Sequence, residues 1–146
     1  MKYSSTQNYI NGKFVDASSP KTMDVISPLN GELLSKLQLS NAKDLNDAVS
    51  AAKAAFPAWS KTPIKERVQV FFRYKTLLEK NMKELADLCS EENGKTYGES
   101  VAEIEKCIEL TEFATSLPQL VTGEVLEVSK GVECRTEHVA LGVVAS

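Results

Sequence analysis

Apolar and polar residues alternate, imperfectly, over the first forty residues, and this pattern indicates short strands. Asn11-Gly12 lies between the apolar pairs Tyr9-Ile10 and Phe14-Val15, which predicts a tight hairpin. Further strands are predicted from Met23 to Ile26 and from Glu32 to Leu39, joined by a turn at Asn30-Gly31. We therefore predict a small β ribbon over residues 8–39, lying on a larger body.

Between residues 40 and 122 the apolar positions recur every three or four residues, which is typical of helices packed on one face. A first helix is expected from Ala42, capped by Ser40 or Asn41 and ended by Pro57. A second and longest helix is expected over 63–92, and a third over 96–117. Sequence signals for their ends are Thr62 as N-cap, Pro63 at the first helical position, Gly94 after the second helix and Pro118 at the end of the third.

Alternation returns in residues 123–138, with Lys130-Gly131 as a plausible turn, and predicts a β hairpin with one polar face. Residues 139–146 are almost wholly apolar, which favours the start of a strand buried on both faces. The predicted fold class is α/β, with three main helices between an N-terminal ribbon and a C-terminal hairpin. No linker divides residues 1–146, so one unit is expected. A finished domain usually ends on a polar tail, so we expect this unit to belong to a longer protein.

Composition and charge narrow the classes of function. The chain has 146 residues and a net charge of −3, with no basic excess that would neutralise phosphates, so nucleic acid is not an expected partner. No apolar run approaches the roughly 20 residues of a membrane span, and the N-terminus is unlike a signal peptide. We therefore expect no membrane association and a cytoplasmic location.

Few residues carry candidate chemistry. The three cysteines, Cys89, Cys107 and Cys134, have no metal-ligand spacing, and His138 is the single histidine, so no metal site is predicted. Cys134 and His138 would share a strand face but lie roughly 13 Å apart, so we assign no catalytic residue. The glycines form no phosphate-binding loop, and no cofactor-binding residue is assigned.

Acidic residues cluster at Glu91-Glu92 and along the third predicted helix at Glu103, Glu105 and Glu109. Paired carboxylates can perform acid–base chemistry, but charge runs of this kind are usually solvated helix faces. The solvated face is the preferred interpretation.

Five short stretches occur in an order and spacing that resembles the NAD(P)-dependent aldehyde dehydrogenases, over about residues 8–146. They are Asn8–Phe14, Ile26–Glu32, Ala54–Trp59, Glu91–Lys95 and Leu141–Ala145. The resemblance implies NAD or NADP as the cofactor of a full-length enzyme several times longer than this chain. It also implies that the catalytic cysteine, the general-base glutamate and nearly all of the cofactor site lie further along. We therefore expect the isolated chain to be inactive and to bind no cofactor.

Residues 103–114 and 121–124 look most like the CoA-acylating methylmalonate-semialdehyde dehydrogenases. Several of those enzymes hold the substrate carboxylate with a helix arginine, and Lys106 occupies the matching position. Lysine supplies the charge without the bidentate fork, and an ordinary exposed lysine is an equally good interpretation.

The resemblance also implies a candidate monovalent-cation site, formed by Glu92 and the backbone carbonyls around Val25-Ile26. His138 and Ala140 replace an arginine and a proline common in the family.

Two other hypotheses compete with an inactive N-terminal section of an enzyme. The predicted hairpin resembles the family's oligomerisation arm, so the chain could be a self-association or assembly module, and a homo-oligomer is expected. Edge strands readily pair with other chains. Alternatively, the sequence is the non-functional product of a truncated gene.

Overall fold

A computed structural model describes all residues from Met1 to Ser146. The chain forms three separate two-stranded antiparallel sheets and six helices. The strands are β1 (Asn8–Ile10), β2 (Lys13–Val15), β3 (Thr22–Ile26), β4 (Leu33–Gln38), β5 (Glu124–Ser129) and β6 (Val132–Thr136). The helices are α1 (Ala42–Trp59), α2 (Ile64–Arg67), α3 (Gln69–Lys80), α4 (Met82–Asn93), α5 (Tyr97–Thr115) and α6 (Leu117–Leu120). The predicted α/β class is confirmed.

The N-terminal ribbon forms as two hairpins. β1 pairs with β2 around Asn11-Gly12, both of which have positive φ (52° and 77°), as a tight two-residue turn requires. β3 pairs with β4, and Gly31 has a φ of 76° in the predicted turn. The N-terminal segment lies against β4, since the backbone N–H groups of Lys2 and Tyr3 both donate to the Leu34 carbonyl.

Helix α1 begins where the sequence predicted. Asn41 is the N-cap, its side chain accepts from the N–H groups of Lys43 and Asp44, and the Asp44 carboxylate reaches back to the Asn41 N–H. The prediction that Pro57 ends this helix is wrong. Proline removes one N–H donor, but the helix continues to Trp59 and the Ser60 N–H still bonds to the Phe56 carbonyl.

The single long helix predicted over 63–92 is interrupted twice, giving α2, α3 and α4. At Val68 the backbone stays right-handed, and its carbonyl accepts from both Phe71 and Phe72, so the helix tightens without breaking. At Asn81 the backbone leaves the helical region and the side-chain Nδ2 competes for the Leu77 carbonyl.

The predicted start of this helix is also wrong. Thr62 donates through its hydroxyl to the Ala58 carbonyl at the end of α1, and Pro63 takes the N-cap position. Gly94 ends α4 in the left-handed conformation, as predicted.

Helix α5 is the platform for the candidate site. Thr96 is its N-cap and forms a capping box with Glu99. The helix ends at Thr115, earlier than predicted, and Pro118 lies within the short α6. α5 packs against α3 and α4, with Ser100 fully buried and Thr111 nearly so. Together with Val68, Leu78 and Ala86 these residues form the helical core, while Leu34 is the buried apolar residue of the β3–β4 hairpin.

The C-terminal hairpin forms as predicted, with β5 paired to β6 and Gly131 at a φ of 76° in the turn. Every residue of both strands is exposed. Residues 139–146 form no strand, which differs from the predicted buried strand, and Leu141 is 94% exposed. A strand buried on both faces needs neighbouring strands, and no strand of this chain pairs with this segment.

Candidate functional site

The outer side of α5 carries the residue that the sequence singled out for substrate binding. Lys106 is exposed there, and its Nζ forms an ion pair with the Glu109 carboxylate one turn along the helix. Ala102, Glu103 and Lys106 line an open depression of about 370 Å³ together with Lys95 and Glu99. Lys106 is therefore accessible to a small anion, but its charge is already matched by a carboxylate.

Lys95 and Glu103, which line this depression, belong to a polar cluster that the sequence analysis missed. Glu103 accepts from the Lys95 Nζ at 2.5 Å and from the Cys89 thiol at 3.1 Å. The Lys95 ammonium, followed by the Cys89 hydrogen bond, holds the pKa of Glu103 below its ordinary value. The same carboxylate raises the pKa of Lys95. This cluster ties the end of α4 to the first two turns of α5, so Glu103 is not simply solvated.

Lys95 immediately precedes the Thr96 cap and Glu103 lies two turns inside the helix. A lysine just before the cap and a glutamate on the facing side of the helix were the available signals for this pair. The cysteine contact had no signal in the sequence, because it requires α4 to fold back against α5.

Glu91 also departs from the solvated interpretation. Its carboxylate accepts from the Lys2 Nζ at 2.5 Å and from the Tyr3 hydroxyl at 2.8 Å. These two donors, the lysine first, hold the pKa of Glu91 below its ordinary value. The contacts span almost ninety positions in the sequence and fasten the N-terminal segment to α4.

Glu92, the candidate ligand of a monovalent cation, is exposed, and its carboxylate makes no hydrogen bond or ion pair. The approach to the Ser-Pro segment comes from its neighbour, since the Ser27 hydroxyl donates to the Glu91 carbonyl at 3.2 Å. No group of three or more His, Cys, Asp or Glu side chains is arranged to hold a metal ion.

The remaining carboxylates and thiols are scattered. Glu105 and Glu109 are both exposed on α5, in line with a solvated face. Cys134 is exposed on β6 and His138 lies beyond the end of that strand, with no hydrogen bond between them. His138 borders a depression of about 410 Å³ at the base of the hairpin, which Arg67 and Gly123 also line. Of the three thiols, only that of Cys89 contacts a potential base, the Glu103 carboxylate, and this carboxylate is already paired with the Lys95 ammonium.

Dinucleotide phosphates commonly bind at a helix N-terminus, where free N–H groups point at the ligand. The N-termini of α1 and α5 do not fit this role. Each is closed by a capping box, and the N3 residues Asp44 and Glu99 add a negative charge there. Both carboxyls have a lowered pKa because of the hydrogen bonds they accept, from Ser18 first for Asp44 and from Thr96 first for Glu99. A phosphate would meet an anion at either helix.

Comparison with known proteins decides the family. The family model described as "Aldehyde dehydrogenase family" matches residues 14–146. This chain belongs to the aldehyde dehydrogenase family. It is 42% identical over 139 residues to malonate-semialdehyde dehydrogenase of Halalkalibacterium halodurans and equally identical to malonate-semialdehyde dehydrogenase 1 of Geobacillus thermodenitrificans. Each alignment covers 94% of this chain and 29% of the relative, so the chain spans less than a third of the length of these dehydrogenases.

Solved structures of the aldehyde dehydrogenase family share the fold. The methylmalonate-semialdehyde dehydrogenase of Oceanimonas doudoroffii superimposes with a TM-score of 0.87 at 34% identity, over 92% of this chain and 28% of that one. An NAD complex from Sinorhizobium meliloti 1021, named for the same activity, gives a TM-score of 0.85 at 34% identity over the same shares. The resemblance to semialdehyde dehydrogenases is thus confirmed.

None of the helices combines the length and hydrophobicity that crossing a bilayer would require.

Proposed function

We propose that this chain is the N-terminal section of an NAD(P)-dependent semialdehyde dehydrogenase, an enzyme that oxidises an aldehyde to an acid or an acyl-CoA. The observation that carries the proposal is the 42% identity to malonate-semialdehyde dehydrogenases along 94% of this chain. Because those relatives have more than twice as much further sequence, the catalytic thiol and the NAD(P) site are assigned to polypeptide beyond these residues. The isolated chain is accordingly inactive, and its location is the cytoplasm.

The substrate class follows from Lys106 and from the names of the relatives. A short aldehyde that also carries a carboxylate, such as malonate semialdehyde, would place that carboxylate against the Lys106 ammonium. The present partner is easily replaced, since the Lys106–Glu109 pair is more than 60% exposed on both sides and exposed pairs contribute only about 0–1 kcal/mol. The depression beside it has room for a three-carbon acid.

Two assays test this proposal. The purified chain mixed with NAD, CoA and malonate semialdehyde should give no rise in NADH absorbance, and calorimetry should detect no NAD binding. A saturable NADH signal would contradict the assignment of the chemistry to other sequence.

The role of Lys106 is tested in a chimera in which this chain replaces the matching stretch of the H. halodurans enzyme. Lys106→Met should raise KM for malonate semialdehyde about tenfold or more, as expected for loss of one charge-assisted contact, and leave KM for propanal unchanged. Lys53→Met, at an exposed lysine of α1 without an ion pair, is the matched control. Equal effects on the two substrates would refute carboxylate binding by Lys106.

Self-association is a second candidate function, and the exposed hairpin favours it. Val125, Leu126, Val128 and Val132 are each more than half exposed, and a two-stranded hairpin without further cover is only marginally stable in water. Pairing of its free edges with a second copy would extend the sheet. Light scattering at micromolar concentration should show a dimer or larger species, and Leu126→Asp should weaken it more than Ser129→Asp. A clean monomer would refute this function.

A further inference from the structure

The chain contains three Asn-Gly dipeptides, Asn11-Gly12, Asn30-Gly31 and Asn93-Gly94, and the fold places them in two hairpin turns and at one helix end. Asparagine before glycine is chemically labile, because the next backbone nitrogen can attack the side-chain amide carbon and glycine has no Cβ to obstruct that attack. All three asparagines are exposed, so access to water does not distinguish them. They differ in the hydrogen bonds of the two groups that would react.

Both groups are engaged at Asn30-Gly31. The Gly31 N–H donates to the Ser27 carbonyl at 2.9 Å, and the Asn30 Oδ1 accepts from the Glu32 N–H, also at 2.9 Å. Ser27 is only 2% exposed, and the turn joins β3 to β4, where Leu34 is buried. Attack on Asn30 would therefore disrupt a turn that is attached to the buried part of the hairpin.

Both groups are also engaged at Asn93-Gly94. The Gly94 N–H donates to the Ser90 carbonyl at 2.9 Å and closes the last turn of α4. The Asn93 Nδ2 donates to the Cys89 carbonyl at 3.1 Å. A Cβ at Gly94 would lie 3.0 Å from the Pro28 side chain, so the helix end packs closely on the segment after β3. Attack on Asn93 would require this packed helix end to unwind.

Both groups are free at Asn11-Gly12. The Asn11 side chain and the Gly12 N–H make no hydrogen bond within the chain. Asn11 is also the only residue other than glycine with a positive φ, 52°, a conformation with a steric cost for any residue that has a Cβ. No hydrogen bond of this turn therefore protects the Gly12 nitrogen or the Asn11 amide.

The reaction requires the turn to open, so that the Gly12 nitrogen reaches the Asn11 side-chain carbon, and this hairpin opens easily. β1 and β2 contain three residues each, and every residue of β2 is exposed. Two-stranded hairpins are marginally stable in water, and exposed segments with few buried contacts open at the lowest free energy. The hairpin of β1 and β2 thus combines unprotected groups with frequent opening.

We propose that Asn11 is a site of spontaneous deamidation, and that the fold directs this reaction to Asn11 in preference to Asn30 and Asn93. The Gly12 nitrogen bonds to Asn11 Cγ, the Cγ–Nδ2 bond breaks, and the nitrogen's proton passes through solvent to the ammonia that leaves. The product is a cyclic imide, a succinimide. Water then opens the ring at either carbonyl and gives aspartate or isoaspartate. Water is the only co-reactant, and no electrons are transferred.

The isoaspartate product changes the hairpin. Its main chain runs through the former side chain and gains one carbon, which a two-residue turn cannot accommodate without a change of register. Ile10 and Lys13 face each other across the turn, and behind them Tyr9 and Phe14 stack with ring centroids 5.0 Å apart. Both pairs would lose their alignment. Formation of isoaspartate would therefore loosen the hairpin of β1 and β2.

Ageing of the purified full chain in mildly alkaline buffer, followed by peptide mapping with mass spectrometry, tests the proposal. The peptide containing Asn11 should convert to the acid forms at least about tenfold faster than those containing Asn30 or Asn93, whose hydrogen bonds must first break. In guanidinium chloride the three rates should become similar, because the fold no longer protects two of them. Asn11→Gln is the matched control. It should suppress conversion at position 11, because the longer side chain closes a less favourable ring, and leave the other two rates unchanged.

Two results would overturn the proposal. One is conversion of Asn30 or Asn93 in the folded chain as fast as that of Asn11. The other is an unchanged ratio of the three rates in guanidinium chloride, which would attribute the preference to local sequence. Amide hydrogen exchange tests the structural consequence. Isoaspartate at position 11 should speed exchange at Ile10 and Lys13, whereas Asn11→Asp, which adds the charge without the extra main-chain carbon, should not. Equal exchange in the two forms would contradict the change of register.

Discussion

A comparison of two leucines tests where the stability of this chain resides. Leu34 on β4 is 1% exposed, whereas Leu45 on α1 is 64% exposed. Leu34→Ala removes three buried carbons, worth about 2.4 kcal/mol at about 0.8 kcal/mol each. The cavity left behind adds to this loss, which brings the expected cost to about 3–5 kcal/mol. Leu45→Ala should change the free energy of unfolding by less than about 0.5 kcal/mol.

Urea unfolding followed by circular dichroism measures both values. Single domains have stabilities of about 5–15 kcal/mol, and a chain with four buried apolar residues is expected near or below the lower limit. Leu34→Ala should therefore shift the midpoint strongly or abolish the folded baseline, with an unchanged slope if a transition remains. A larger loss for Leu45→Ala than for Leu34→Ala would refute the location of the core. Repeating the measurement at two protein concentrations shows whether self-association contributes.

Three further predictions concern caps, turns and carboxylates. Thr96→Ala should lower the free energy of unfolding by about 1 kcal/mol in urea unfolding, because α5 loses its N-cap, and Thr96→Ser should restore most of it. Gly123→Ala should destabilise the C-terminal hairpin in amide hydrogen exchange, because a Cβ there would lie 2.4 Å from the Thr136 carbonyl oxygen; unchanged exchange would contradict the close approach. The pKa of Asp44 is lowered first by the Ser18 hydroxyl, so its contribution is present above the unfolded-state pKa and lost as pH falls below about 4. Asp44→Asn should accordingly flatten the acid limb of a plot of unfolding midpoint against pH.

Features that depend on neighbouring residues were predictable from the sequence. Asn11-Gly12, Gly94 and Gly131 take up the positive φ that their turns and caps require, and Asn41 caps α1. Each of these depends on backbone conformation within a few residues. The interruption at Asn81 was less visible, because the apolar stripe runs through it and only the competing side-chain amide reveals the change.

Features that depend on distant residues were not predictable. The Lys2 and Tyr3 contacts with Glu91 exist because the N-terminal segment lies along β4, which no local pattern encodes. For residues 139–146 the local pattern predicted a strand that does not form. Their composition suits a buried strand, but burial requires partner strands, and the strands described here do not supply them.

The proposed substrate lysine shares one side of α5 with two exposed apolar residues, Leu110 and Phe113. Lys106 precedes Leu110 by one turn and Phe113 by two, so a polypeptide that covers these apolar side chains would also enclose the lysine. In the open chain an ammonium–carboxylate contact at 4 Å is worth only about 1 kcal/mol in bulk water, and about 4 kcal/mol in the lower effective dielectric near a protein surface. Enclosure by the rest of the proposed enzyme would therefore turn Lys106 from a weakly paired surface residue into a selective carboxylate contact. Malonate should consequently raise the midpoint of thermal unfolding of the H. halodurans chimera, whereas it should leave that of the isolated chain unchanged.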